Sequence, residues 1–108
     1  MKNARLPINA EVLRHGADRA VSALRLLSNK DRLLLLCRLA QDEMCVSDLE
    51  AQLDIRQPTL SQQLGVLRSE GVVSTRRQGK NIFYRVSDRA LLEILVVLHR
   101  LYCPKESL

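Results

Sequence analysis

Aromatic side chains are nearly missing from this chain: it has no tryptophan, one phenylalanine and two tyrosines in 108 residues. Apolar residues still make up 46%, so the core has to be built from Leu, Val, Ile and Ala. A thin aliphatic core of that kind in a single small domain points to helices, and to a partner subunit that completes the burial. An apolar run such as Leu33 to Cys37 is far too short to cross a bilayer, which takes about 20 residues. The opening stretch, Met1 to Ile8, lacks the apolar segment of a secretory leader, so we expect a cytoplasmic protein with no membrane partner. There is no glycine-rich phosphate loop, no Ser/His/Asp set and no paired carboxylates in a plausible pocket, which argues against an enzyme. The two histidines, His15 and His99, do not assemble the roughly four ligands of tetrahedral zinc, so no metal or cofactor is expected. His15 fits a surface position, and His99 a subunit interface or a helix end. The cysteine count, three, is odd and argues against a structural disulfide framework. Cys37, Cys45 and Cys103 are therefore inert buried thiols, metal ligands or redox-reactive thiols.

What the chain does have is charge in one place. Six basic residues (Arg56, Arg68, Arg76, Arg77, Lys80 and Arg85) and one acid, Glu70, lie between positions 56 and 85. The remaining basic and acidic residues balance, so the whole net charge of +5 sits in that stretch. A basic block in a neutral body suits a polyanion partner, although charge alone fits a solvated face equally well.

Apolar spacing organises the chain as one domain, with residues 1–10 as an N-terminal arm. Val12, Leu13, Ala17, Ala20, Val21, Leu24 and Leu27 recur at three and four, which predicts an amphipathic helix over about 11–27. Ser28 or Asn29 caps a second helix over about 31–40. Ser47-Asp48-Leu49-Glu50 has the form of a capping box and opens a short third helix that ends near Leu53. Pro58 suits the first turn of a fourth helix, which stops at Gly71. Two β-rich segments, 72–77 and 81–86, flank a turn at Gln78-Gly79-Lys80 and predict a two-stranded hairpin. Ser87 or Asp88 then caps a last helix to about Cys103, with Pro104 beyond it. That helix is apolar nearly all round, which implies burial on more than one side and hence a subunit interface.

Short helix, tight turn, helix and basic-tipped hairpin is an arrangement suited to double-stranded DNA. Leu60, Leu64 and Leu67 would pin the fourth helix to the core. Its opposite face would show Gln57, Thr59, Ser61, Gln62, Gln63 and Arg68, short polar side chains able to address base edges in the major groove. Arg76, Arg77, Lys80 and Asn81 at the hairpin tip would reach an adjacent groove or the phosphates. The expected fold is mainly α with a small β-hairpin wing, a winged helix-turn-helix paired as a homodimer.

The segment from Gln57 to Arg77, followed by Asn81-Ile-Phe-Tyr-Arg-Val, resembles the ArsR/SmtB repressors, and the likeness runs from Ala20 to Pro104. It implies a dimer packed through the first and last helices and a repressor that leaves operator DNA when an effector binds. Gln57-Pro-Thr-Leu-Ser-Gln-Gln-Leu looks like the BigR/SqrR branch, since the family often has Ser-x-His-Leu where this chain has Ser61-Gln-Gln-Leu.

The effector follows from the same resemblance. Metal-sensing members use Cys-x-Cys near the third helix, and this chain has Cys45-Val46-Ser47, one thiolate short. Zinc-sensing members use Asp, His and Glu along the last helix, where Asp88 and His99 stand without the rest. In the BigR/SqrR branch a cysteine occupies each of two places that match Cys37 and Cys103, and persulfides or polysulfides join them. The resemblance thus implies redox sensing by Cys37 and Cys103, with reactive sulfur species as effector and Cys45 a bystander. Arg38 and Arg100, as basic neighbours, would lower the thiol pKa values. An arsenite-type sensor using three cysteine thiolates is the alternative.

Overall fold

The structure is a computed structural model and describes residues 9–103. Most of the expected N-terminal arm, and Pro104, lie outside the described residues. Asn9 and Ala10, assigned to that arm, instead begin the first helix.

Five helices and three short strands follow one another: α1 (Ala10–Leu27), α2 (Lys30–Gln41), β1 (Met44–Cys45), α3 (Val46–Leu53), α4 (Thr59–Ser69), β2 (Val73–Gln78), β3 (Asn81–Val86) and α5 (Arg89–Tyr102). Side-chain caps start three of the helices. The Asn9 Oδ1 accepts from the Glu11 and Val12 amides at 3.0 and 3.2 Å. Asn29, rather than Ser28, caps α2 through the Arg32 amide at 3.0 Å. Asp88, rather than Ser87, caps α5 through the Leu91 amide at 3.0 Å. Each satisfies an amide that the helix itself leaves unpaired. Gly71, at φ +73°, lets the chain turn out of α4, and the Val72 amide reaches back to the Leu67 carbonyl at 3.2 Å.

Two expectations about local structure need correction. The sheet has three strands, in the order β1-β3-β2, because Met44 and Cys45 pair with Tyr84 and Phe83 ahead of α3. Two residues carry no period of their own, so β1 is specified only by the strand it joins. That pairing also moves the start of α3 to Val46. Ser47 therefore lies inside the first turn and closes no capping box; Cys45 takes the cap position without a side-chain bond to the helix amides. The expected hairpin is present, with Val73 opposite Val86 through to Gln78 opposite Asn81, so Gln78, expected in the turn, instead ends β2 and the turn narrows to Gly79-Lys80. At its tip only Gly79, of the two central residues, has a positive φ, 62°, the freedom such a tight turn requires.

The core is aliphatic throughout. Leu35, Leu36, Leu49, Leu60, Leu67 and Leu91 are fully buried, and no polar or charged side chain among the described residues joins them. Leu60, Leu64 and Leu67 hold α4 against this core as its spacing implies. Arg32 ties three helices: Nε and Nη2 donate to the Leu26 and Arg25 carbonyls at the end of α1, both at 2.9 Å, and Nη1 donates to Gln63 of α4 at 3.2 Å. Both carbonyls lie in the last turn of α1, where carbonyls lack the usual i+4 amide, and the Arg25 carbonyl also accepts from the Ser28 amide at 3.3 Å. No helix among the described residues is long and apolar enough to cross a membrane. The α3-turn-α4 pair, followed by the β2-β3 wing, makes this a winged helix-turn-helix.

Candidate functional site

Two features stand apart from the core: the polar side formed by α4 and the wing, and a cleft on the flank between α1, α2 and α5. On α4, the buried row of Leu60, Leu64 and Leu67 turns Ser61, Gln62 and Arg68 outward, and all three are exposed. Gln57 is exposed too, but its Oε1 accepts from the Ser61 amide at 3.1 Å and so closes the first turn of α4. Pro58 therefore sits at the cap, one step outside the helix where it was expected. Thr59 is half-buried. Gln63 does not belong to the outward face: it lies on the flank of the leucine row, half-buried, with its oxygen held by Arg32.

The wing carries a similar correction. Arg77, Lys80 and Asn81 are exposed around the Gly79 turn. Arg76 is a strand residue bound to its own protein. Its Nε donates to both oxygens of Glu43, at 2.7 and 2.8 Å, and its Nη2 pairs with Glu43 at 2.6 Å. Its guanidinium lies 4.7 Å from the centre of the Phe83 ring, and Nη1 donates to Gln78 at 2.8 Å. The hydrogen bonds from Arg76 hold the Glu43 carboxyl below its usual range. Sequence spacing gave no sign of Glu43, because its partner is 33 residues away. Arg56, exposed just before α4, adds a cation beside this face.

On the flank, Cys37 of α2 and Cys103 at the end of α5 line one cleft of about 570 Å³. Both thiols are free. Cys37 is half-buried and Cys103 exposed. Burial, followed by the nearby Cys103, pushes the Cys37 thiol above its ordinary pKa. The expected activation by Arg38 fails on geometry. Arg38 is bound to Gln52 at 2.6 Å and Gln41 at 2.9 Å, with Asp42 at 3.6 Å. His99, expected at a subunit interface or a helix end, lies in the last turn of α5 and lines this cleft and also a smaller one of about 170 Å³ that Cys37 borders.

Cys45 lies elsewhere. It is buried, its thiol donates to Asp48 at 3.2 Å, and it borders a cleft shared with Lys80 and Asn81. Among the described residues no three of His, Cys, Asp and Glu come together as a metal site. The three-thiolate arrangement is therefore not assembled here.

Comparison with known proteins agrees with this architecture. A family model described as "Bacterial regulatory protein, arsR family" matches residues 29–75. The biofilm growth-associated repressor of Agrobacterium fabrum is 52% identical over 86 residues, which span 79% of this chain and 74% of that protein. The crystal structure of the transcriptional repressor BigR from Xylella fastidiosa superposes with a TM-score of 0.83 at 41% identity, covering 91% of this chain and all of that one. Reduced HlyU from Vibrio cholerae gives 0.82 at 35% identity, covering 87% and 99%. These relatives are regulators rather than enzymes, and together with the fold they show that this chain belongs to the arsR family of bacterial regulatory proteins.

Proposed function

We propose that this protein is a cytoplasmic repressor that binds operator DNA as a homodimer while Cys37 and Cys103 are reduced, and releases it when a persulfide or polysulfide joins them. The observation that carries this reading is that two cysteines far apart in the chain, one on α2 and one at the end of α5, share one cleft that the third does not line. The names of its relatives, biofilm growth-associated repressor and transcriptional repressor BigR, support repression.

Dimerisation follows from unfinished burial. Only Leu26 and Leu27 of α1 are buried, and Val12, Leu13, Val96 and Leu101 leave apolar surface on α1 and α5 open to water. A second copy packed on both helices covers it and sets two reading heads on one duplex. An operator with half-sites about 34–36 Å apart suits that geometry. Gln57, Thr59, Ser61, Gln62 and Arg68 face the major groove, with Gln62 at the centre, while Arg77, Lys80 and Asn81 contact the flanking backbone.

The thiol chemistry has a defined order. Cys103, the exposed thiol, attacks the outer sulfur of a persulfide R–S–SH as thiolate; R–S⁻ leaves and Cys103 carries –S–SH. A second transfer extends it to –S–S–SH. The Cys37 thiolate then attacks the inner added sulfur and hydrosulfide leaves, so the bridge is Cys37–S–S–S–Cys103. The persulfide is the oxidant. The link ties α2 to α5, and α5 belongs to the dimer contact, so the angle between the heads changes. Coupling of this kind is typically about 1–3 kcal/mol, or 5- to 150-fold in affinity.

The test is fluorescence anisotropy on upstream DNA across a salt series, paired with intact-mass spectrometry. Persulfide weakens binding of the native protein and adds bridging sulfur, whereas Cys37→Ser and Cys103→Ser stay on the operator. A Cys37→Ser protein that still leaves it overturns the mechanism. Binding with a steep salt dependence but no sequence preference overturns the operator itself. A protein that gives only a simple disulfide with both persulfide and peroxide overturns the polysulfide bridge.

A further inference from the structure

We infer that the cleft holding the two thiols selects sulfur donors that carry an apolar organic group, in preference to anionic donors. This rests on the dithiol reading above and asks which donor that dithiol meets.

The walls of the cleft are almost entirely carbon. Leu24 and Leu27 come from α1, Leu33 from α2, and Ile94, Leu98 and Tyr102 from α5. Among the described residues no charged side chain lines it. Ser28, one of its few polar residues, spends its hydroxyl on the Arg25 carbonyl at 3.0 Å. Among the described residues, His99, the Tyr102 hydroxyl and the two thiols are the remaining polar groups. Its size, about 570 Å³, falls in the range of small-ligand sites. Other hollows on the same molecule are lined differently. A cleft of about 610 Å³ between α1 and α5 presents Arg19, Glu70 and Asp88, and one of about 280 Å³ presents Arg25, Arg32 and Glu70. The thiols thus open onto a hollow whose described walls offer no cation to a carboxylate.

A donor enters with its R group against the leucines and its sulfane sulfur toward Cys103. Cys103 takes the outer sulfur, and R–S⁻ leaves and is protonated by water. An alkyl R loses its water shell to carbon surface and gains from every methylene. A peptide-like R with two carboxylates must lose hydration with nothing to replace it. Selection therefore acts on the first transfer, before any bridge forms.

The experiment measures the rate of Cys37–Cys103 bridging by quenched intact-mass spectrometry on the reduced full-length protein. Donors are butyl, hexyl and octyl persulfide, glutathione persulfide and inorganic polysulfide. Each rate is divided by that donor's rate with a small neutral thiol, which removes intrinsic reactivity. The normalised rates rise with chain length by up to about fourfold per buried methylene, until the cleft is full. The alkyl donors exceed glutathione persulfide by at least about tenfold. Leu33→Lys, on α2 and off the two helices assigned to the dimer contact, flattens the alkyl series and raises the glutathione rate. Equal normalised rates across the panel, with bridging intact, overturn the selectivity and leave the dithiol mechanism standing. Failure of every donor, inorganic polysulfide included, to join Cys37 to Cys103 overturns the mechanism beneath it.

Discussion

The DNA-facing side and the α1/α5 flank finish their surfaces in opposite ways. On the first, polar side chains are tied down within the chain itself: Arg32 holds Gln63 beneath the outward face, Gln57 closes α4, and Glu43 holds Arg76. On the second, Val12 is 69% exposed, and Val96 and Leu101 are each 64% exposed. One side is complete within a single chain, and the other has apolar area that one chain cannot cover. A head that must present fixed donors to a duplex needs rigid support, while a face awaiting a second copy needs only shape and carbon.

The largest expected effect breaks the flank and spares the head. Leu101→Lys places a charge in the middle of the proposed subunit contact. The same charge suits the carbonyl end of α5, so the separate chain keeps its fold. An unpaired buried charge costs about 3–5 kcal/mol, so the dimer weakens by at least about a hundredfold, and operator affinity falls with it. Sedimentation and anisotropy on one preparation check this. A native chain that is monomeric at micromolar concentration removes the basis of the comparison.

The contrast also marks what the sequence made legible. Helices were readable because apolar spacing and capping residues agree, as at Asn29 and Asp88, and the hairpin was readable from β-formers on either side of Gly79, although its two-residue turn was not. The outward positions Ser61, Gln62 and Arg68 came directly from the leucine row. Gln63 was misplaced because a residue one step from a buried leucine sits on the boundary, and only Arg32 decides its side. The strand Met44–Cys45 and the Glu43–Arg76 pair were invisible because both join segments far apart in the chain. Arg38 looked like an activator of Cys37 by adjacency, yet successive helical residues point about 100° apart, and its guanidinium went to Gln52.

An intermediate effect separates two neighbours of the same type. Gln62→Ala removes an outward amide and should weaken operator binding by about 1–3 kcal/mol, with thermal stability unchanged. Gln63→Ala strips Arg32 of one partner. It should cost about 0.5–1.5 kcal/mol of folding stability in urea titration, with a smaller loss on DNA. If both lose operator affinity equally at unchanged stability, the assignment of Gln63 to the interior is wrong.

The smallest effect concerns the wing, where the two sides of the comparison meet in one residue. Arg76 is a cation on the DNA-facing side, yet Glu43 occupies it with hydrogen bonds and a short ion pair. Glu43→Gln keeps the size of the side chain and removes its charge. If Glu43 withholds Arg76 from phosphate, the variant gains one phosphate contact, and the salt slope of log K steepens by about 0.9. If the clasp instead sets the pose of the wing, the slope stays and affinity falls. The pH dependence has a definite sign. The lowered pKa of Glu43 means the pair contributes stability above the ordinary carboxylate value of about 4.3, and loses it as pH falls through the lowered, folded value. At neutral pH the clasp is closed in the native protein, so the variant must differ there and converge with it only in acid. Convergence at neutral pH means that Arg76 does not distinguish Glu43 from water, and the bracing seen on this side then stops at α4.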